Sequence, residues 1–440
     1  MRLRHSQWVV SESVDTSPLR TYHAASDLHA STSADSEGYI RVPDLLAIDG
    51  GVPAVSHSMP AWPVHGARER ELLLAVLESG QWGEITGSCT NEFAAVFAAF
   101  QGATHAVLTP SGTLALEAAL EALGVGAGDE VITSPWTFIA TASAILTLGA
   151  RPVFVDIDPT TNTIDPARIA EAITPRTKAI VPVHIGGLPA DMDGVMEVAG
   201  RAGLPVLEDA CQAWGARWRD RGVGTIGALG CFSFQESKNI TAGEGGAVVT
   251  NDRPLYERVW SIHNTGRTPA SVGMFDHAMV GRNLRMTEWQ AAILLAQIES
   301  LPEQMERRDR AAARLTEALD EIPGVMPLRV DERVTRCGWH LYQLRYDPDA
   351  FGGRDREAFL RALAAEGVPC SAGYIPLPEV NAMREAVCQR FGDDVVRHDI
   401  PHAEAAGRAT VWLPQTLLLA DDETIDQVIA AFRKIAAAWG

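Results

Sequence analysis

From residue 106 onward, short and nearly unbroken apolar runs alternate with stretches in which apolar residues recur every three or four positions. The runs at 106–109, 130–133, 152–155, 179–183, 205–207, 231–234 and 247–250 predict strands. Because they lack polar alternation, both faces of each strand must be covered, as in a sheet between layers of helices. The stretches at 114–123 and 139–148 predict two of those helices, and Gly124 and Gly149 follow them where a left-handed C-terminal cap is usual. Asp129 and Asp156 fall at strand edges. Strand and helix in alternation predict an α/β fold wound around a large, mostly parallel sheet.

The texture changes after residue 287. Long helices are predicted at 287–301 and 303–319, followed by a compact α+β segment with a strand at 339–346, a helix at 354–366 and a strand near 410–413. A last amphipathic helix carries Ile425, Val428, Ile429, Phe432 and Ile435 at spacings of three and four. This divides the chain into a large domain at 45–304 and a smaller C-terminal domain at 305–440. Residues 1–44 are rich in Ser, Asp, Thr and Ala with no apolar period, and a mobile extension is expected there. No internal repeat of fixed period is visible.

Composition narrows the partners. Hydrophobic residues make up 46% and charged residues 21% of the chain, which excludes a disordered or fibrous protein. With 37 Lys and Arg against 56 Asp and Glu, the net charge of −19 opposes nucleic acid and anionic membranes. Any anion site must therefore be built from local amides and cations. The six cysteines form no C-x-x-C pair and no zinc-like spacing with His, so reduced thiols and no metal site are expected. Neither a secretory h-region nor a membrane-length apolar run is present, and a cytoplasmic location is expected.

Three features carry chemistry. Pro110-Ser111-Gly112-Thr113 lies between a predicted strand and helix, where a glycine lets the backbone approach a ligand and free helix amides can cradle a phosphate. Alone it is a common strand-to-helix turn. Val206-Leu207-Glu208-Asp209-Ala210 is a buried strand ending in two carboxylates, at the strand end where α/β folds bind ligands. A helix-capping aspartate is the plainer reading. Lys238 follows the strand 231–234 and precedes the glycine-dense turn Thr241-Ala242-Gly243-Glu244-Gly245-Gly246, a placement that holds an amine in a site rather than on a solvated helix face. In chain order these are a phosphate cradle, an aspartate and a lysine, the three attachments pyridoxal phosphate needs: lysine for the Schiff base, aspartate for the pyridine nitrogen, amides and hydroxyls for the phosphate.

Ser111-Gly112-Thr113 with Ala115-Leu116, residues 135–141, Val155-Asp156-Ile157, Glu208-Asp209-Ala210, Phe232-Ser233-Phe234, Lys238, Gly243-Glu244-Gly245-Gly246 and residues 283–286 carry a denser likeness. In that order they resemble the DegT or StrS family of pyridoxal-phosphate-dependent aminotransferases, over about Leu45 to Phe432. The resemblance implies an aspartate aminotransferase-like fold (fold type I) and action on keto sugars or keto cyclitols.

It further implies that Lys238 and Asp209 are catalytic: Lys238 forms the Schiff base and shuttles the proton between substrate Cα and cofactor C4′, and Asp209 salt-bridges the pyridinium nitrogen. Phe138 would stack on the ring and Gln212 lie near its hydroxyl, while Ser111, Gly112, Thr113 and Ser233 would hold the phosphate. Asn283 matches an asparagine given to the neighbouring subunit's phosphate, which implies a homodimer. His184 matches a histidine near the cofactor, Arg285 could anchor the donor carboxylate, and His340 and Tyr374 would face the substrate. Duller readings stay open: Phe138 and His184 as core residues, Gln212 as a surface polar residue, Asn283 in a turn, Arg285 as an exposed arginine.

The resemblance implies L-glutamate or L-glutamine as amino donor in a ping-pong transfer. Gln235-Glu236-Ser237 stand where many sugar-nucleotide members carry a His-Pro pair, which is more like the branch that aminates cyclitol ketones or makes aminohydroxybenzoate. The alternatives are such an aminohydroxybenzoate synthase-like enzyme and a regulatory protein that holds the cofactor without turnover. Deoxygenating relatives replace the lysine with histidine, so Lys238 argues against that chemistry. A nucleotide-binding protein is disfavoured because neither G-x-G-x-x-G nor a Walker lysine accompanies residues 111–113.

Overall fold

The computed structural model describes residues 45–271, 273, 275–392 and 399–440, so the extension expected at 1–44 lies outside the described residues. In chain order the first part runs α1 (Ala67–Ser79), α2 (Cys89–Gln101), β1 (His105–Thr109), α3 (Gly112–Ala122), β2 (Glu130–Thr133), α4 (Ala140–Thr147), β3 (Arg151–Phe154), α5 (Pro166–Ala172), β4 (Thr177–Val181), α6 (Met192–Ala202) and β5 (Leu207–Asp209). Two short strands, β6 (Arg217–Trp218) and β7 (Arg221–Gly222), precede β8 (Leu229–Ser233), β9 (Gly246–Thr250), α7 (Arg253–His263) and α8 (Glu288–Leu319). The last part comprises β10 (Val325–Pro327), β11 (Val334–Arg336), β12 (Leu341–Tyr346), α9 (Arg356–Ala365), β13 (Ser371–Ala372), α10 (Asn381–Phe391), α11 (Pro401–Ala409), β14 (Thr410–Pro414) and α12 (Asp422–Trp439).

The ladders β1-β9-β8-β5 and β3-β2-β4 join through parallel bridges from Ile180 to Val206 and from Val183 to Asp209, which makes one sheet of order β1-β9-β8-β5-β4-β2-β3. Strands β2, β3, β4, β5 and β8 run parallel, but β9 is antiparallel to both β1 and β8. A mostly parallel sheet was expected; its one reversed strand follows a connection that holds no helix and closes on itself where the Phe234 N–H donates to the Gly245 carbonyl at 2.8 Å, so the chain turns back beside β8 instead of crossing over. Strands β8 and β9 are buried along their whole length, as their apolar runs required, and β5 is buried as well although it carries Glu208 and Asp209. Gly124 and Gly149 have φ of 79° and 77°, the left-handed caps expected after α3 and α4.

Two expectations shift in ways that matter for the site. The strand read at 205–207 forms instead at Leu207–Asp209, because its ladder with β8 pairs Leu207 with Leu229 and Asp209 with Cys231. Pairing to a neighbour sets the strand end. The helices read at 287–301 and 303–319 form one 32-residue helix, α8, with Pro302 inside it, and this helix crosses the junction expected at 304/305. Packing overrides the proline. Ala291, Leu294, Leu295, Ile298 and Leu301 enter the core beneath β8 and β9, and beyond Pro302 the same face continues with Ala312, Leu315 and Leu319 into the core of the antiparallel sheet β10-β12-β14-β13. That second core is closed by Phe359 and Leu363 of α9 and by Ile425, Val428, Phe432 and Ile435 of α12, the helix whose spacing marked it as amphipathic. Among the described residues no helix is long and apolar enough to cross a membrane.

Candidate active site

The alternation of side chains along a strand separates the two acids of β5. Glu208 turns away from the cavity. Its carboxylate accepts the backbone N–H groups of Gly224, Ile226 and Gly227 at 2.7, 2.7 and 2.6 Å and faces His184 Nε2 at 3.0 Å. His184 Nδ1 accepts the N–H of Ala190 at 3.0 Å, so the ring proton sits on Nε2 and is donated to Glu208. With both nitrogens engaged and no exposed surface, His184 is a core histidine; Val183 beside it lines the cavity instead.

Asp209 turns into the cavity with 4% of its surface exposed. Its Oδ2 accepts the Thr141 hydroxyl at 2.7 Å, and its Oδ1 accepts the Cys211 N–H at 3.2 Å. Thr141, in the first turn of α4 and four residues after Thr137, receives the Thr137 hydroxyl hydrogen at 2.9 Å, so two threonines relay toward the carboxylate. The sequence reading missed Thr141; its position four residues after Thr137 beside a strand-end aspartate was the available signal.

The turn from β1 to α3 forms the opposite end. Ser111 is the N-cap of α3 and its Oγ accepts the Leu114 N–H at 3.3 Å, so the hydroxyl serves the helix while the first helical amides stay open to the cavity. Gly112 is there for closeness. A Cβ on it would lie 2.7 Å from Cβ of Ser233 and 3.1 Å from Sγ of Cys211. Ser111, Gly112, Thr113 and Ser233 all line the cavity.

Lys238 lies on the connection between β8 and β9. Its N–H donates to the Gln235 carbonyl at 2.9 Å, the Gln235 Oε1 accepts from the Ser237 N–H and hydroxyl at 2.9 and 2.8 Å, and Trp62 Nε1 donates to the Glu236 carbonyl at 2.8 Å. These bonds fix the loop. Nζ sits 6.0 Å from the centre of the buried Trp214 ring. Burial pushes the amine below the usual lysine range, against the opposing pull of Cys211 and Asp209.

The walls complete a cavity of about 530 Å³, within the range of small-ligand sites. Phe138 lines it with 56% of its surface exposed, which removes the core reading for that ring. Gln212 is buried, not a surface polar residue: Oε1 accepts the Gly186 N–H at 2.7 Å and Nε2 donates to the Tyr374 hydroxyl at 3.1 Å. Tyr374 packs edge-on against Trp412 at 4.6 Å, and burial pushes its phenol up to about 12. His340, just before β12, is also in the lining, as are Gln235 and Ser237, which the sequence reading weighed for the acceptor, and Glu244 of the glycine-rich turn. Asn283 and Arg285 do not line this chain's cavity. Asn283 is exposed, and Arg285 Nη1 donates to Asn264 Oδ1 at 2.9 Å.

The residues from 63 to 433 match the profile of the DegT/DnrJ/EryC1/StrS aminotransferase family. The chain belongs to that family. It is 41% identical over 412 residues to the L-glutamine:2-deoxy-scyllo-inosose aminotransferase of Micromonospora echinospora, covering 89% of this chain and 98% of the relative. It is 39% identical over 365 residues to the 3-amino-5-hydroxybenzoate synthase of Amycolatopsis mediterranei (strain S699), covering 82% and 93% of the two chains. The crystal structure of 3-amino-5-hydroxybenzoic acid synthase superposes with a TM-score of 0.78 at 37% identity, covering 87% of this chain and 98% of that one. The fold is therefore the aspartate aminotransferase-like fold type I, and the chain is an aminotransferase.

Proposed function

We propose that the protein is a pyridoxal-phosphate-dependent aminotransferase that moves an amino group from L-glutamine or L-glutamate to an uncharged keto cyclitol or related keto sugar, working as a cytoplasmic homodimer. The observation that carries this reading is the meeting of Asp209, Lys238 and the open amides of α3 in one cavity, from three distant parts of the chain. These residues fit the cofactor. Gly112, Thr113 and Ser233 would hold its phosphate at a helix N-terminus, Asp209 its ring nitrogen, Phe138 and Gln212 its ring, and Lys238 Nζ its aldehyde carbon. When bound, pyridoxal phosphate supplies the electron sink that makes the substrate Cα–H acidic.

The rest is done by the chain. Asp209, aimed by the Thr141 hydroxyl and the Cys211 N–H, would pair with the ring nitrogen and keep it protonated. Lys238, whose burial favours the neutral amine, would take the donor's Cα proton at Nζ and hold it there for return. Lys238 is the one Lys or Arg among the lining residues, and Glu244 adds a carboxylate at the rim. Such a lining suits a polyol ketone rather than a nucleotide-linked one, in keeping with the cyclitol named in the 41% identical relative. Exposed Asn283, with Phe275 at 87% and Val280 at 91% exposure on the same segment, supports a subunit contact there.

A second reading, formation of an aminohydroxybenzoate, is favoured by the 39% identical synthase. One experiment separates these. L-glutamine, L-glutamate and L-alanine are added singly to the cofactor-loaded enzyme, loss of its visible band is followed, and keto cyclitols, nucleotide-linked keto sugars and cyclic acids that could yield an aminohydroxybenzoate are offered in turn. Glutamine should bleach the band and a keto cyclitol restore it. A band that no donor bleaches would favour the regulatory reading, and turnover by Lys238→Ala would sink the assignment.

A further inference from the structure

Bonds leave the turn that carries Lys238 on both sides of that residue. Two positions before it, the carbonyl of the exposed Glu236 accepts the Trp62 Nε1–H at 2.8 Å. One position after it, Asn239 is 2% exposed, and its Nδ2 donates to Gly338 O at 2.7 Å and to Trp339 O at 3.4 Å. Its Oδ1 faces His340 Nδ1 at 3.3 Å. A single buried amide next to the lysine thus spends both of its ends on three consecutive residues of a distant segment.

That segment makes a corner. Trp339 has a φ of 49°, in the left-handed region where a bulky side chain is seldom found. In an extended chain successive carbonyls point to opposite sides, whereas a left-handed residue turns the carbonyls before and after it toward one side. Gly338 O and Trp339 O can therefore share the Asn239 amide. Other bonds hold the corner in place: Trp339 Nε1 donates to Asp309 Oδ1 on α8 at 2.7 Å, and the Gly338 N–H donates to Gly187 O at 2.8 Å. A Cβ on Gly338 would lie 2.9 Å from Ala213 Cα and 3.2 Å from the Gln212 carbonyl oxygen, so a glycine lets the corner rest on the backbone that carries Gln212. A strained backbone persists where its surroundings over-determine it, and these surroundings are the cavity wall: Gln212, Lys238 and His340 all line it.

We propose that Asn239 is a positioning residue for Lys238: by gripping the left-handed corner Gly338 to His340, it fixes the backbone from which the lysine side chain enters the cavity. The inference rests on the cofactor reading above for its purpose, though not for its test. The lysine stem has four flexible carbons, and a loose Cα would add backbone freedom to that of the side chain. Asn239 removes the backbone part. The Trp62 bond steadies the exposed side of the same turn, but the buried tie is the one that water cannot replace.

Trp339→Gly and Trp339→Val separate the backbone of the corner from its indole. Both lose the side chain, but glycine accepts a positive φ and valine does not. In cofactor-loaded enzyme Trp339→Val should have a kcat about tenfold below that of Trp339→Gly, with the donor KM of the two alike. Equal kcat values overturn the proposal. Cofactor-free protein gives a second measurement: competitive acetylation, read by mass spectrometry, compares Lys238 with Lys178 in wild type and in Asn239→Ala. Lys238 should react about tenfold faster in the variant while Lys178 is unchanged. A rise shared equally by both lysines reports general loosening and overturns the proposal, as does no rise at all. If wild-type protein takes up no pyridoxal phosphate, the functional reading fails while the acetylation ratio still decides the role of Asn239.

Discussion

Thr141 donates its hydroxyl hydrogen to Asp209 Oδ2 at 2.7 Å, and the Thr137 hydroxyl backs it at 2.9 Å. The carboxylate is thereby aimed into the cavity by a helix that is not adjacent to it in sequence. Thr141→Val removes one bond to a charged acceptor while keeping the shape, so kcat/KM should fall about tenfold. Asp209→Asn loses the charge itself and should cost about 100-fold or more. Steady-state kinetics on both variants checks the order; Thr141→Val as damaging as Asp209→Asn would contradict it.

Glu208 serves folding. It has no exposed surface and collects three backbone N–H groups and the His184 Nε2–H. Glu208→Gln turns an amide NH₂ toward donors at one of these positions, and a loss of about 1–3 kcal/mol is expected in urea unfolding. Substrate KM should stay near wild type, since neither Glu208 nor His184 lines the cavity.

Gly112→Ala tests the closeness of the cradle. The added methyl would sit 2.7 Å from Cβ of Ser233, with Cys211 Sγ at 3.1 Å, so β8 and α3 must part. Weaker pyridoxal phosphate binding, by about tenfold or more, is expected in equilibrium titration together with a lower melting temperature.

Lys238 has a definite pH signature. Its folded value lies below the unfolded one because burial penalises the ammonium. That cost is present in full at low pH, where both states are charged, and fades as pH rises from the folded value to the unfolded one. Cofactor-free protein should gain stability over that interval, and Lys238→Met should lack the gain. Thermal melts from pH 7 to about 10.4, the ordinary lysine value, check both.

Subunit mixing tests the homodimer. If Asn283 serves the partner's cofactor, Lys238→Ala and Asn283→Ala proteins are each impaired alone, yet a hybrid dimer has one site with both residues intact. Mixing after mild dissociation should restore transfer. No recovery in hybrids shown to have formed would place Asn283 outside the shared site.

Much of this was legible in the residues. Continuous apolar runs determined a sheet covered on both faces, because a strand with no polar face cannot meet water. The cradle, aspartate and lysine were readable because the chemistry of one cofactor demands those three groups, and family order tied them together. Phe138 and Gln212 line the same cavity, and only the structure showed that one is exposed and the other buried against Tyr374.

The rest depended on partners that no local pattern contains. Strand pairing decided that β9 runs antiparallel, since a ladder is set by its neighbour. Core contacts on both sides of Pro302 decided that α8 is one helix. Side-chain alternation decided which of Glu208 and Asp209 faces the cavity, and with it that His184 is structural. The order of residues named the chemistry of this protein; hydrogen bonds between segments 24 to 68 positions apart, from His184 to Glu208 and from Thr141 to Asp209, decided which acid is structural and which faces the cavity.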